Sequence, residues 1–381
     1  MAPEVRIFRD LHEVEPDLWN SLLAPADLQL THRFVVSCQD SGIEDARYWH
    51  LTIFEGGMLQ CIATLSRMTV SLDLLSGNVI RTAIRRLRRF KTRFMQVPVL
   101  FCGLPVSFGQ PGLRLRSGAR VPTIMAAIAS QMEMIARQHD IPLLCFKDLD
   151  PKLAAEADVL GSCGYFQAPS LPACSLSLRW DSFEQYISCM RAGYRRQARR
   201  TLHHREELGV QVRVVEDFSD HLEAIYSLYS QVMDRAPHQL ERLNQAFFGE
   251  LNRNLGTQAP AIILESEGRV LAAAILLTTP GHMTFLLAGI DYSLNQKYQS
   301  YHVLVLEVVA QAIRSGAKCL EMGQTSYALK SRLGGCPVPR YLYLRHRTTL
   351  NHRLLQRASG WLFPTVDVPR RRVFKGERED P

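Results

Sequence analysis

One polar run holds side chains that could do acid–base chemistry together: Glu321-Met322-Gly323-Gln324-Thr325-Ser326-Tyr327-Ala328-Leu329-Lys330. A carboxylate can take a proton from an attacking amine, and lysine or tyrosine can offer charge or a proton to a nearby oxygen. The run follows a short apolar segment, Lys318 to Met322, so its polar groups stand just beyond a strand end, where pockets form. Glu321 is the carboxylate best placed to act as a general base. A buried Glu321 paired with Arg332 or Lys330 is the alternative. Lys330 is expected to bring positive charge to a donor or acceptor, and Tyr327 is the third catalytic candidate. Asp291 is a further carboxylate to consider, and His302 is expected to pack in a helix. Spacing reveals no Ser-His-Asp set and no cysteine nucleophile. Direct attack by an amine needs neither.

The elements that must hold these groups read clearly from Ala261 to Gly335. Glu267-Gly268-Arg269 is a turn between two apolar runs, Ala261 to Leu264 and Val270 to Leu277. Pro280-Gly281 separates the second run from a third, Met283 to Ala288. From Ser300 to Ile313 the period becomes helical, with Val303, Leu306, Val309, Ala310 and Ile313 on one face. Gly316 ends that helix before the short strand carrying Glu321.

The first half repeats this order in pattern without residue identity. Strands are expected at Val5 to Phe8, Trp49 to Glu55, Leu59 to Met68 and Val97 to Cys102, a helix over Pro122 to Arg137, a strand over Pro142 to Phe146, and a helix from Pro151 to Leu160. Two tandem units follow: residues 1–170 with a basic insertion at about 78–94, and residues 171–365, with a basic then acidic tail at 366–381 expected to be mobile. The insertion, Arg81 to Arg93, carries seven cations with Ile84, Leu87 and Phe90 along one side. It reads as a solvated helix or as a basic amphipathic helix on an anionic surface. In the second unit, Asp181 is expected to cap one long helix bearing Arg191, Arg195, Arg196, Arg199, Arg200 and Arg205, stacked at a spacing of four. Arg340 to Arg347 is an alternating strand that could close a sheet, and Leu354 to Phe363 a short helix.

At 381 residues the chain is too long for one ordinary core, and 46% hydrophobic content without low-complexity tracts argues for a globular protein. No run approaches the ~20 apolar residues of a membrane span, and the acidic, polar N-terminus is no signal peptide. The nine cysteines lack CxxC spacing, which points to reduced thiols in the cytoplasm and away from a zinc site or disulfide framework. No metal is expected. The net charge of +8 suggests an anionic partner.

The basic helix Gly193-Tyr194-Arg195-Arg196-Gln197-Ala198-Arg199-Arg200, the Gly-Val-x-Val from Gly209, the strand–helix–helix after it, and the run from Glu321 to Lys330 together resemble the FemAB-like N-acyltransferases, a branch of the GNAT superfamily. The resemblance implies an α+β fold: two tandem GNAT-like domains, each a mixed, mostly antiparallel sheet flanked by helices. It implies an enzyme that moves an acyl or aminoacyl group from an acyl-CoA, an acyl-carrier-protein thioester or an aminoacyl-tRNA to an amine of a small molecule or peptide. It places the donor between the third and fourth core strands, against Leu287 and Ala288, with its phosphates on the loop before the crossover helix. That loop lacks the usual Gln/Arg-x-x-Gly-x-Gly/Ala; Asn295-Gln296-Lys297-Tyr298-Gln299-Ser300 stands there instead. Lys297, Gln299 and Ser300 remain able to meet a phosphate, Gln324 to meet the donor, and Arg195, Arg196, Arg199 and Arg332 to meet substrate or phosphate. The implied location is cytoplasmic, with peripheral contact at the inner membrane face through Arg81 to Arg93 left open. A non-catalytic module that holds nucleic acid or anionic lipid through its arginines is the competing reading.

Overall fold

A computed structural model describes residues 3–71, 96–106, 109–236 and 241–376. The basic insertion of Arg81 to Arg93 lies outside the described residues.

The first sheet contains β1 (Glu4–Phe8), β2 (Arg47–Glu55), β3 (Met58–Ser71), β4 (Gln96–Cys102), β6 (Leu143–Leu149) and β7 (Phe166–Pro169), with β5 (Leu113–Leu115) beside β3. Between β1 and β2 lie the short helices α1 (Pro16–Asn20) and α2 (His32–Asp40). Helix α3 (Val121–Gln138) precedes β6; α4 (Pro151–Glu156) and α5 (Val159–Ser162) follow it. The expected helix over Glu13 to Leu23 is shorter, because Pro16 can start a helix but cannot sit inside one. The expected Pro151 to Leu160 helix is two pieces, broken at Ala157 and Asp158.

The second sheet contains β8 (Ala173–Ser177), β9 (Gln211–Val215), β10 (Ala261–Ser266), β11 (Arg269–Thr279), β12 (His282–Ile290), β13 (Cys319–Glu321) and β14 (Cys336–Val338). Its helices are α6 (Phe183–Cys189), α7 (Ala192–Glu207), α8 (Leu222–Arg235), α9 (Gln245–Leu255), α10 (Asn295–Tyr298), α11 (Ser300–Arg314) and α12 (Tyr327–Arg332). Strand β15 (Tyr341–His346) and helix α13 (Thr349–Leu362) close the order. Glu267 and Gly268 both take left-handed backbone (φ 53° and 74°), the pair of conformations a two-residue hairpin requires. Val303, Val309 and Ala310 are fully buried, as their helical spacing predicts.

The two sheets trade strands. In the first, the place between β6 and β7 is filled by β15, from the far end of the chain. In the second, the place between β13 and β14 is filled by β8, which directly follows β7. The crossovers at 170–172 and 339–340 run side by side, and the Ser170 amide donates to the Arg340 carbonyl at 2.9 Å. Arg340 to Arg347 does close a sheet, and it is the first sheet that it closes.

Three large cores follow. One lies between α3 and the first sheet, one between α11 and the second. The third is shared: Trp19 and Phe34 pack with Phe247, Phe248, Ile263 and Leu277. Gly289 is needed there, since a Cβ would lie 2.7 Å from Leu228 Cβ and 2.9 Å from the Tyr229 amide nitrogen of α8.

Two further expectations are corrected. The long helix starting at Asp181 is two helices: Ser182 accepts the Gln185 amide as the cap, and the chain is extended at Met190 and Arg191. The tail docks at the break. Met190 bridges to Phe374, and the Arg191 amide donates to Val373 O at 2.8 Å. The tail is therefore ordered through this segment. Val373 is fully buried, and the Phe374 ring lies 4.5 Å from Trp180 and 5.6 Å from Tyr186.

Candidate functional site

β12 and β13 run parallel for only three register pairs: His282 with Cys319, Met283 with Leu320, Thr284 with Glu321. Beyond Thr284, β12 continues to Ile290 with no strand on that side among the described residues. A bulge helps turn it away. Ile275 faces Leu287 while Leu276 faces Phe285, so Leu286 is an extra residue on β12. Leu287 and Ala288, half-buried, lie on the open stretch. An unpaired strand edge offers backbone donors and acceptors to an extended ligand.

Glu321 stands at the point of the opening. Alternation sends Leu320 into the core under α11 and Glu321 to the opposite face. Its register partners there are Thr284 on β12 and Ser175 on β8. Cys319, two residues back on the same face, has its Sγ 3.7 Å from Glu321 Oε1 and 3.2 Å from Ser175 Oγ. Burial pushes the Glu321 carboxyl above its usual range, against the pull of the Arg340 cation and of hydrogen bonds from Cys319 and Ser175. A carboxylate held so is a stronger base than a solvated one.

The loop after β13 joins the two halves. Thr325 and Ser326 both have positive φ (66° and 51°), a conformation that costs non-glycine residues of order 1 kcal/mol or more each and concentrates at functional sites. Gln324 Nε2 donates to Leu171 O at 2.6 Å and to Asp148 Oδ1 at 3.2 Å. Asp148, also left-handed (φ 60°), accepts from Ser170 at 2.9 Å. Arg340 donates to the Gly109 carbonyl. Tyr327 donates to Pro172 O at 2.8 Å, and burial pushes its phenol up to about 12. Lys330 is 3% exposed, with Nζ donating to Gln324 O at 2.8 Å, and burial lowers its ammonium to about 8. It braces the loop from below. The cation that bears on Glu321 is Arg340, while Arg332 is exposed and lies near His302, whose pKa is lowered by burial and by that arginine.

The loop before α11 is filled by the chain's own groups. Asn295 Oδ1 accepts the Tyr301 amide at 3.0 Å, so one first-turn donor is already taken. Gln299 adopts the left-handed conformation that glycine takes at low cost. Helix α7 lies against this loop: Thr201 contacts Gln299, and His204 Nε2 meets Lys297 O at 2.8 Å. Ser300 is 1% exposed and its Oγ has no hydrogen-bond partner among the described residues. Lys297 is exposed and reaches Tyr298 OH at 2.9 Å. Burial alone would raise the Asp291 carboxyl, but bonds from Ser293 and Arg269 win and hold it low, which makes it a turn anchor.

On α7, Arg195 Nη1 donates to Met190 O at 2.7 Å and caps α6. Arg205 pairs with the buried Glu307 of α11. Arg196, Arg199 and Arg200 are exposed, and among the described residues no ion pair offsets them. Among the described residues no group of three or more histidine, cysteine or acidic side chains is arranged to hold a metal, and no helix is long and apolar enough to cross a membrane.

A family model described as an acetyltransferase (GNAT) domain matches residues 190–331. The stretch that holds β9 to β13 is therefore similar to a GNAT acetyltransferase domain. Two solved structures share the architecture over nearly the whole length. FemX aligns with a TM-score of 0.57 at 12% identity, covering 93% of this chain and 100% of that one. The tandem GNAT protein from the clavulanic acid biosynthesis pathway aligns with a TM-score of 0.53 at 13% identity, covering 90% and 98%. The fold is thus the FemAB-like tandem-GNAT arrangement that the sequence resemblance implied. Among curated proteins, "Putative 8-amino-7-oxononanoate synthase 2" of Mycobacterium tuberculosis is 26% identical over 332 residues, which is 85% of this chain and 43% of that protein. The chain spans less than half the length of the curated relatives it matches.

Spacing alone did not mark Cys319, Ser175, Arg340 or Asp148. Cys319 was within reach, as it sits two residues before Glu321 on one strand and so shares its face. Ser175, Arg340 and Asp148 arrive through the strand exchange, which no local pattern encodes.

Proposed function

We propose that this chain joins an acyl or aminoacyl group to an amine, with the reacting carbonyl at the β12 opening and Glu321 as the base. The observation that carries this reading is the placement of Glu321, with its raised carboxyl, at the last register pair before β12 stands free. The donor is an activated acyl compound: a thioester of coenzyme A or of a carrier protein, or an aminoacyl ester of tRNA. When bound it supplies the activated carbonyl. The free edge at Leu287 and Ala288 holds its arm extended and polarises the carbonyl oxygen. The amine nitrogen bonds to the carbonyl carbon, the bond to the leaving sulfur or oxygen breaks, and Glu321 passes the amine proton toward the leaving atom. Lys330 and Tyr327 position the loop around it. The self-filled loop before α11 favours a donor whose phosphates are met elsewhere, and Arg196, Arg199 and Arg200 offer such a surface. The nine unpaired cysteines suit a cytoplasmic setting.

The test is a donor and acceptor screen read by mass spectrometry, with a panel of acyl-CoAs and charged tRNAs against small amines and peptides. An amide product that Glu321→Gln loses supports the reading. Failure of every donor, together with salt-sensitive RNA or vesicle binding, would identify a non-catalytic binding module instead.

A further inference from the structure

We propose that the outer face of α13 docks on an anionic bilayer surface, with Leu350, Leu354 and Trp361 in the headgroup layer and Arg353 and Arg357 on lipid phosphates. The proposal does not depend on the acyl-transfer reading above. Among the described residues eight large apolar side chains are exposed, and four of them, Leu350, Leu354, Trp361 and Val366, fall between residues 350 and 366. Exposed apolar groups scattered singly need no explanation, but a cluster marks a contact surface. At 3.6 residues per turn, residues 350, 354, 357 and 361 share an arc of about 60°. That arc points away from the protein. The other side of α13 carries Leu355, which with Phe363 packs on Met68, Phe101, Phe166 and Leu344 of the first sheet, and His352 lies 5.5 Å from the Phe166 ring. Leu350 is 70% exposed, Leu354 55% and Trp361 62%, so the helix is seated by one face and a second apolar stripe is left over.

Charge selects the occupant. No acidic residue occurs from Thr349 to Phe363. Arg357 on the stripe and Arg353 at its edge are exposed, with no ion pair among the described residues. Leucine and tryptophan beside arginine suit a helix at a bilayer interface, where the ring sits at headgroup depth and the guanidinium reaches phosphate from an apolar stem. A nucleic-acid backbone would use the arginines and leave the leucines in water. A second copy would bring arginine onto arginine, on a chain of net charge +8. The chain between Ser71 and Gln96 points the same way. Those two residues pair at the ends of β3 and β4, beside Val70, which packs on the cluster that α13 covers. The stretch with the seven cations of Arg81 to Arg93 therefore leaves and rejoins the sheet beside this face, and like charge disfavours it as a cover for the arginines of α13.

The experiment is co-sedimentation of the full chain with phosphatidylcholine vesicles, made with and without phosphatidylglycerol, with tryptophan emission read in parallel. Trp19, Trp49 and Trp180 are buried, so Trp361 is the tryptophan whose emission can shift on contact. The expected result is binding that needs phosphatidylglycerol, weakens with salt and moves the emission to the blue. The double variant Leu354→Glu, Trp361→Glu loses binding while melting like the parent, because both side chains face outward. The double variant Arg353→Gln, Arg357→Gln binds about 30-fold more weakly. Trp361→Phe binds and shows no blue shift. Four outcomes overturn the proposal and leave the acyl-transfer reading standing: parental binding by the double glutamate variant, equal binding to vesicles without phosphatidylglycerol, no binding to either vesicle, or a dimer in solution that Trp361→Glu dissociates.

Discussion

Glu321 is the last residue of β13 to face a partner on β12, and that partner is Thr284. Past this pair the two strands part, so a carboxylate and an open backbone edge meet at one point. Burial raises the Glu321 carboxyl, so the folded state holds that proton more tightly than the unfolded chain does. Stability then falls as pH rises from the ordinary value of 4.5 through the raised folded value, and the cost stays in place at neutral pH. Glu321→Gln is therefore expected to melt higher than the parent at pH 7, with the difference shrinking as acid protonates Glu321. Melting curves of both proteins across that range check it. A site built for chemistry commonly trades stability in this way.

Lys330 carries the opposite sign. Burial lowers its ammonium from 10.5 to about 8, so the penalty for charging it is fully present below about 8 and is relieved as pH climbs to 10.5. The shift corresponds to something on the order of 3 kcal/mol. Relative to Lys330→Met, the parent should gain stability between those two values. Denaturant unfolding of both proteins at pH 7 and pH 10 measures the difference.

The docked tail tests the account of the broken helix. Phe374 is 3% exposed between Trp180 and Tyr186, and a Cβ at Gly334 would lie 2.3 Å from its ring. Phe374→Ala should cost about 3–5 kcal/mol. Gly334→Ala should be at least as damaging, since the clash adds to a φ of 89° that side chains rarely adopt. Chemical denaturation reads both.

The strand exchange makes a prediction about fragments. A piece ending at residue 172 lacks β15 and leaves β6 and β7 unpaired along one edge. It should aggregate when made alone and become soluble when made together with residues 173–376. Size-exclusion chromatography of the two preparations distinguishes these outcomes.

Much of the fold was legible because its signals are local. The turn at Glu267-Gly268, the helical spacing from Val303 to Ile313 and the alternation around Glu321 each lie within one element. The site was legible only where it lies on β12 and β13. Ser175 comes from β8, the Arg340 carbonyl accepts the Ser170 amide across the crossovers, and Asp148 accepts from the Ser170 hydroxyl and from Gln324. Such partners are fixed by topology rather than by spacing. The same cause hid the tail. Val368 to Pro381 reads as a charged end, yet Val373 and Phe374 within it fill a slot made by residues almost two hundred positions away.

The central claim is that Glu321 takes the amine proton. The most direct measurement is single-turnover amide formation by the parent and by Glu321→Gln, at saturating donor and acceptor, with donor affinity measured in parallel. The account predicts a rate lower by about 10²- to 10⁴-fold with donor affinity unchanged. Equal rates in the two proteins would contradict it.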